Sequence, residues 1–171
     1  MMNNNKYKLI FGALLILVFS IFTSCDEGGE PDPGATSIVE MAGDWWVIAL
    51  EPDGVTPAFG GDYVRLSTYN TAADEGGMWV DDHGNWMEIK TKVIANVSNL
   101  SFTGDDGIEH ITGGTVVLVN GSIMKETYTT ESNTLVDEIY FEAEFDWFPG
   151  TVFIFKGHKR TGFLEDENPH Y

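Results

Sequence analysis

The sequence predicts an all-β domain, an antiparallel sheet of about eight to ten strands rolled into a closed barrel. Three observations carry this. From Ala42 onward there is no helical period; runs of β-formers alternate with Gly, Asn, Asp or Pro. The connections between those runs are short, and closing such a sheet removes edges that would otherwise template aggregation. The stretch from Leu135 to Trp147 alternates: Leu135, Ile139, Phe141, Ala143, Phe145 and Trp147 share one side, while Glu138, Glu142, Glu144 and Asp146 take the other. One side therefore faces a core or cavity and the other faces water. Asp137 alone interrupts the apolar row; it is either near a barrel mouth or a polar point in the pocket, and its place near the strand start favours the mouth.

Each element has a local reason. Gly43-Asp44-Trp45-Trp46-Val47-Ile48-Ala49-Leu50 is the first core strand, with Trp45 large enough to plug one end and Gly43 allowing close approach before it. Glu51-Pro52-Asp53-Gly54 turns the chain. Strands are then expected over 62–69, 78–80, 86–95 (after the turn Asp81-Asp82-His83-Gly84-Asn85), 96–102 and 108–111, the last pair separated by Gly104-Asp105-Asp106-Gly107. The remaining strands are 115–130, 134–148 and 151–157, joined by Glu131-Ser132-Asn133 and Pro149-Gly150. Asn120-Gly121 reads either as a hairpin turn or as a bulge within one long strand. The bulge is favoured, because Val116, Leu118, Met124 and Tyr128 keep one parity across it.

The first 24 residues form an address. Lys6 and Lys8 precede an uncharged apolar run of fourteen residues, Leu9 to Phe22, which suits a signal peptide and is short of the roughly 20 residues of a membrane-spanning helix. Phe22-Thr23-Ser24-Cys25 resembles a bacterial lipobox, and Cys25 is the only cysteine. Lipidated there, the chain would have a membrane as its partner through two acyl chains, with no disulfide available to staple the fold. Asp26 to Ser37 is rich in Gly, Pro and acid and reads as a tether. Its acidic start, Asp26-Glu27 with Glu30, resembles the export signal that sends some Bacteroidetes lipoproteins to the outer face of the outer membrane; a plain solvated linker is the other reading. The expected division is thus leader 1–24, lipidated cysteine and tether 25–40, and barrel 41–171. Residues 25–171 carry 7 basic and 27 acidic groups. That balance excludes nucleic acid, whose phosphates need clustered Lys and Arg, and any electrostatic grip of the fold on anionic lipid.

No hydrolytic motif stands out: there is no Gly-x-Ser-x-Gly, His-Glu-x-x-His or Ser-x-x-Lys. The four histidines, His83, His110, His158 and His170, are scattered. Asp81-Asp82-His83 reads as a polar turn rather than a metal triad, since neighbouring strand residues point to opposite faces. No metal and no cofactor is expected.

Gly43-x-Trp45 resembles the lipocalin signature on a first barrel strand, and Gly157-His158-Lys159-Arg160-Thr161-Gly162-Phe163 supplies a basic residue just past the last one. In lipocalins an arginine covers that tryptophan, so the resemblance implies a lipocalin-like barrel with Arg160 over Trp45, worth about 1–2 kcal/mol as a shielded cation–π contact. The whole pattern, from lipobox to Gly-His-Lys-Arg-Thr-Gly-Phe, resembles the Bacteroidetes lipoprotein family named "lipid-binding putative hydrolase". Unlike true lipocalins, the chain has no helix after the barrel and no clear middle motif. Two readings follow. In the first, the barrel binds a lipid or small apolar ligand against Val47, Met124, Tyr128, Ile139, Phe141, Phe145 and Trp147, with Met87 and Met124 as adaptable wall material. In the second, its own aromatic side chains fill it, and its outer face or loops serve a partner at the envelope. An open cavity of about 300 Å³ or more separates the first from the second.

Overall fold

The computed structural model describes residues 35–73, 75–85 and 87–167. The leader, Cys25, the tether up to residue 34, Trp86 and His170 lie outside them. Eight strands follow in order: β1 Gly43–Leu50, β2 Val64–Asn70, β3 Gly77–Asp81, β4 Lys90–Asn96, β5 Ser101–Gly104, β6 Val116–Thr129, β7 Leu135–Phe145 and β8 Val152–Lys159. Each pairs antiparallel with the next, and β8 returns to β1 to close the barrel. The all-β closed barrel is what the chain forms, with eight strands. Residues 108–111 are not a strand. They make only the bridge Ile108↔Thr115, because the Asp106 and Glu109 carboxylates capture the N–H groups of Ile108, Ile111 and Thr112.

The inner rows are those the alternation demanded. Trp45, Val47 and Ala49 of β1 and Ile139, Phe141, Ala143 and Phe145 of β7 are all buried. Phe155 stacks on Phe141 at 4.7 Å, Phe102 lies 6.1 Å from Phe141, and Phe145 lies 6.2 Å from Phe155. Phe141 and Phe155 have no accessible surface at all, so no water-sized hollow remains beside them: side chains fill the barrel. Closure also requires Gly157, where a Cβ would stand 1.9 Å from the Trp46 carbonyl oxygen.

One end is sealed. The 3-10 turn Val39–Met41 lies against it with Ile38 and Met41 wholly buried. The packed domain therefore begins before residue 41, because apolar side chains of the supposed tether enter the core. The Trp45 indole N–H donates to Thr68 Oγ1 (2.9 Å), and the Thr68 hydroxyl donates to the Met41 carbonyl (2.7 Å). The cation over Trp45 is Lys159, its Nζ 5.8 Å from the ring centroid, and not Arg160, which lies 5.1 Å over Trp46. Pairing explains the exchange. Trp45 stands opposite Lys159 in the β1–β8 ladder, so both point inward, whereas Trp46 and Arg160 point out. Gly43 serves this cap: a Cβ there would meet Lys159 Cε at 3.0 Å. Asp137 sits at the same end, 3.1 Å from Lys125 Nζ and 3.8 Å from Lys159 Nζ.

Four other expectations, for Met124, Tyr128, Trp147 and Leu135, are corrected. The Asn120-Gly121 bulge exists, with Asn120 at φ +54° and a register slip between Val119 and Ser122. One inserted residue reverses parity; after Val116 and Leu118 it is Ile123 that turns inward, and Met124 is 40 % exposed. Tyr128 lies past a second slip and stacks on His158 at 4.3 Å on the outer wall. β7 ends at Phe145 in a turn closed by the Phe148 N–H on the Phe145 carbonyl, so Trp147 leaves the inner row and is 52 % exposed. Leu135, at the opposite end of β7, is exposed as well.

Trp45→Ala is expected to cost about 3–5 kcal/mol in denaturant unfolding. Gly157→Ala should abolish the cooperative transition, since its added carbon collides with backbone rather than with a side chain that could turn away.

Candidate binding site at the barrel mouth

The loops 51–63, 82–89, 105–115 and 146–151 leave the barrel at the end opposite Trp45. Each is fixed by a carboxylate turned onto backbone. Asp53 accepts from the N–H groups of Val55 and Thr56 (2.9 and 2.8 Å), and the loop folds back so that Ala58 is buried over Ala49. Asp82, 1 % exposed, accepts from the N–H groups of Gly84 and Met87 (2.9 and 2.8 Å). Burial raises its carboxyl above the ordinary range and outweighs those donors. Glu109 accepts from the N–H groups of Ile111 and Thr112 at 2.8 and 2.6 Å and from the Thr112 hydroxyl. Burial raises it too, but these donors win and hold it low. With the carboxylates spent on backbone, apolar side chains make the rim.

That rim is aromatic. Phe59, Trp147 and Phe148 are 38, 52 and 47 % exposed. Trp147 meets Phe59 edge-on at 5.9 Å and Phe148 edge-on at 5.8 Å, and rests on Phe145 at 5.1 Å. Phe59, Met87, Glu88 and Trp147 line a groove of about 360 Å³. A neighbouring hollow of about 430 Å³ shares Met87, Glu88 and Trp147 and adds the polar side of loop 105–115. A larger hollow of about 540 Å³ lies far from the mouth on the outer wall, around Trp79 and Ile94. There the Trp79 ring is already engaged by the Lys90 and Lys92 ammonium groups at 5.7 and 5.3 Å and by the edge of His110 at 4.9 Å. The mouth is the better binding surface because exposed aromatic rings line it and its floor, Met87, can adapt.

The sequence-derived wall residues divide. Val47, Ile139, Phe141 and Phe145 do converge, but on one another inside the packed barrel. Trp147 contributes at the mouth instead. Met124 and Tyr128 face outward and belong to no shared site with these four. Phe59, Glu88 and Phe148 were not legible as site residues, since they stand in connections, where no alternation marks a face; Met87, expected as adaptable wall material, lies at the mouth. The one available signal was an aromatic placed among turn residues at Phe59-Gly60-Gly61.

One polar array on the outer wall bears on hydrolysis. Ser67, paired with Asp44 across β1 and β2, donates its hydroxyl proton to Asp44, and His83 Nε2 lies 2.7 Å from the same oxygen. Burial raises Asp44, yet Ser67 and Arg65 outweigh it and keep the carboxyl low. The carboxylate thus sits on the hydroxyl rather than behind the imidazole, so it does not orient His83 as the base of a serine triad. A low carboxyl is also a poor acceptor for the serine proton.

The sequence model of a family described as "Lipid-binding putative hydrolase" matches residues 30–164. No curated protein matches the chain.

A buried histidine gives this wall its pH dependence. His158 is 3 % exposed beneath Tyr128 and Tyr63. Burial lowers its pKa, against the opposing pull of the Lys159 carbonyl, Asp166 and Glu138. Asp166, raised by burial but bound by the Ser132 and Thr161 hydroxyls, lies at about 2 and stays ionised. Above about pH 6.5 His158 is neutral folded or unfolded, and its contribution is complete. As the pH falls below that value the unfolded chain takes the proton first, so stability declines until the folded pKa is passed. Unfolding free energy should therefore drop between pH 7 and 5, and His158→Gln should flatten that drop in denaturant titrations.

Proposed function

Because the chain belongs to the lipid-binding putative hydrolase family, we propose that it is an envelope lipoprotein that binds a lipid or similar apolar molecule at the mouth of its barrel. The observation that carries this is the exposed aromatic groove of Phe59, Met87 and Trp147. Each methylene withdrawn from water into it contributes about 0.8 kcal/mol, so a segment of six methylenes reaches about 5 kcal/mol before ordering costs. The lipobox supports an anchor at Cys25 in the outer membrane, and the acidic residues after it support display on the cell surface. The ligand then comes from the adjoining bilayer or its surroundings, and the acidic fold itself has no claim on anionic headgroups.

A second reading is favoured by the packed interior: a barrel filled by Phe102, Phe141, Phe145 and Phe155 suits a structural or interaction protein at the envelope. Among the described residues, catalysis on a lipid-like ester has only the Asp44–Ser67–His83 array behind it.

Native mass spectrometry and titration with a fluorescent fatty acid separate the readings. Binding predicts a saturable apolar adduct on the purified chain, weakened about tenfold by Trp147→Ala, which removes roughly 1.4 kcal/mol of contact. Repeated absence of any adduct and of any uptake moves the assignment to the interaction reading.

A further inference from the structure

The mouth groove can cover part of an aliphatic molecule, but a chain fully shielded from water must displace side chains from the filled barrel. The register ladder of the wall is shortest between β5 and β6. β5 has four residues, and its ladder with β6 holds two register pairs, Ser101↔Ser122 and Phe102↔Gly121. The other seven seams hold between four and nine. The Asn120 bulge interrupts β6 immediately beyond the second pair. At this place an outer groove of about 480 Å³ has among its lining residues Phe102 and Gly121 of the inner row. The Phe102 ring lies flat over that glycine: a Cβ at 121 would be 2.3 Å from it. Phe141 stands directly behind, at 6.1 Å.

We propose that the barrel opens sideways along the β5–β6 seam and that the Phe102 ring is a plug which an incoming aliphatic chain displaces. This rests on the lipid-binding reading and names the ligand's apolar part more closely. The groove is lined by Ile94, Phe102, Val119 and uncharged polar side chains such as Asn96 and Ser101, without a lysine, arginine or carboxylate. What passes is therefore an uncharged hydrocarbon chain, while a charged headgroup stays outside. Gly121 is the hinge of the device, since only a residue without a side chain leaves the ring room to lie across the wall and to swing from it.

A cross-link tests this. The Ile123 N–H bonds to the Leu100 carbonyl (2.8 Å), which makes Ser101↔Ser122 a non-hydrogen-bonded pair with Cα atoms about 4.5 Å apart, within disulfide range. Ser101→Cys with Ser122→Cys, in the full chain carrying Cys25→Ser, ties the seam shut when oxidised. Stopped-flow uptake of a fluorescent long-chain fatty acid should slow at least tenfold in the oxidised form and recover on reduction. Phe102→Ala should speed uptake in the uncross-linked chain. Equal rates in the oxidised and reduced forms, with wild-type uptake intact, overturn the lateral gate and leave the lipid-binding reading standing. Failure of the wild-type chain to take up the probe overturns both.

Discussion

The Trp45 indole N–H on Thr68, and the Thr68 hydroxyl on the Met41 carbonyl, tie three separate parts of the chain into one sealed barrel end. An indole in an apolar core needs a partner for its single donor, and a threonine from the adjacent strand supplies it without breaking the hydrophobic packing. The hydroxyl then passes the bond on to the 3-10 turn, so that Ile38 and Met41 are drawn beneath the barrel floor. Lys159 lies across the ring, and its ammonium is answered by Asp137, which Lys125 also engages. Strands β1, β2, β6, β7 and β8 are thereby connected through one tryptophan and its neighbours. With one end so fixed, whatever the barrel does with a ligand must happen at the other end or through the wall.

The acidic composition has a structural use as well as a solvating one. Asp53, Asp82 and Glu109 each fold a loop by accepting several backbone N–H groups. A buried carboxylate without such donors would be costly; with them it sets loop shape and leaves aromatic side chains facing out. The exposed Phe59, Trp147 and Phe148 are therefore consequences of how the acids are spent. The Asp44–Ser67–His83 array belongs to the same economy, a carboxylate satisfied by a hydroxyl and a guanidinium on the outer wall.

Alternation made the fold legible. Along β1 and β7 most alternate residues are apolar, and Trp45, Val47, Ile139, Phe141 and Phe145 went inward as a period of two requires. Counting by twos failed wherever the backbone inserted a residue or left the strand. Met124 fell outside because the Asn120 bulge reversed parity, and Trp147 because β7 ends two residues before it. Arg160 illustrates a subtler limit. The sequence supplied two adjacent cations for two adjacent indoles, and only the β1–β8 register decided that Lys159 covers Trp45 while Arg160 covers Trp46.

The order of residues by itself determined an all-β chain, its turns, the indole at its base and an apolar row along β7, because those follow from local propensity and a two-residue repeat. Tertiary structure decided that the interior is filled, that the mouth groove gathers from three loops far apart in sequence, and that the β5–β6 ladder is short. Each of those depends on how separate segments come to lie beside one another, and loops carry no period from which that could be counted.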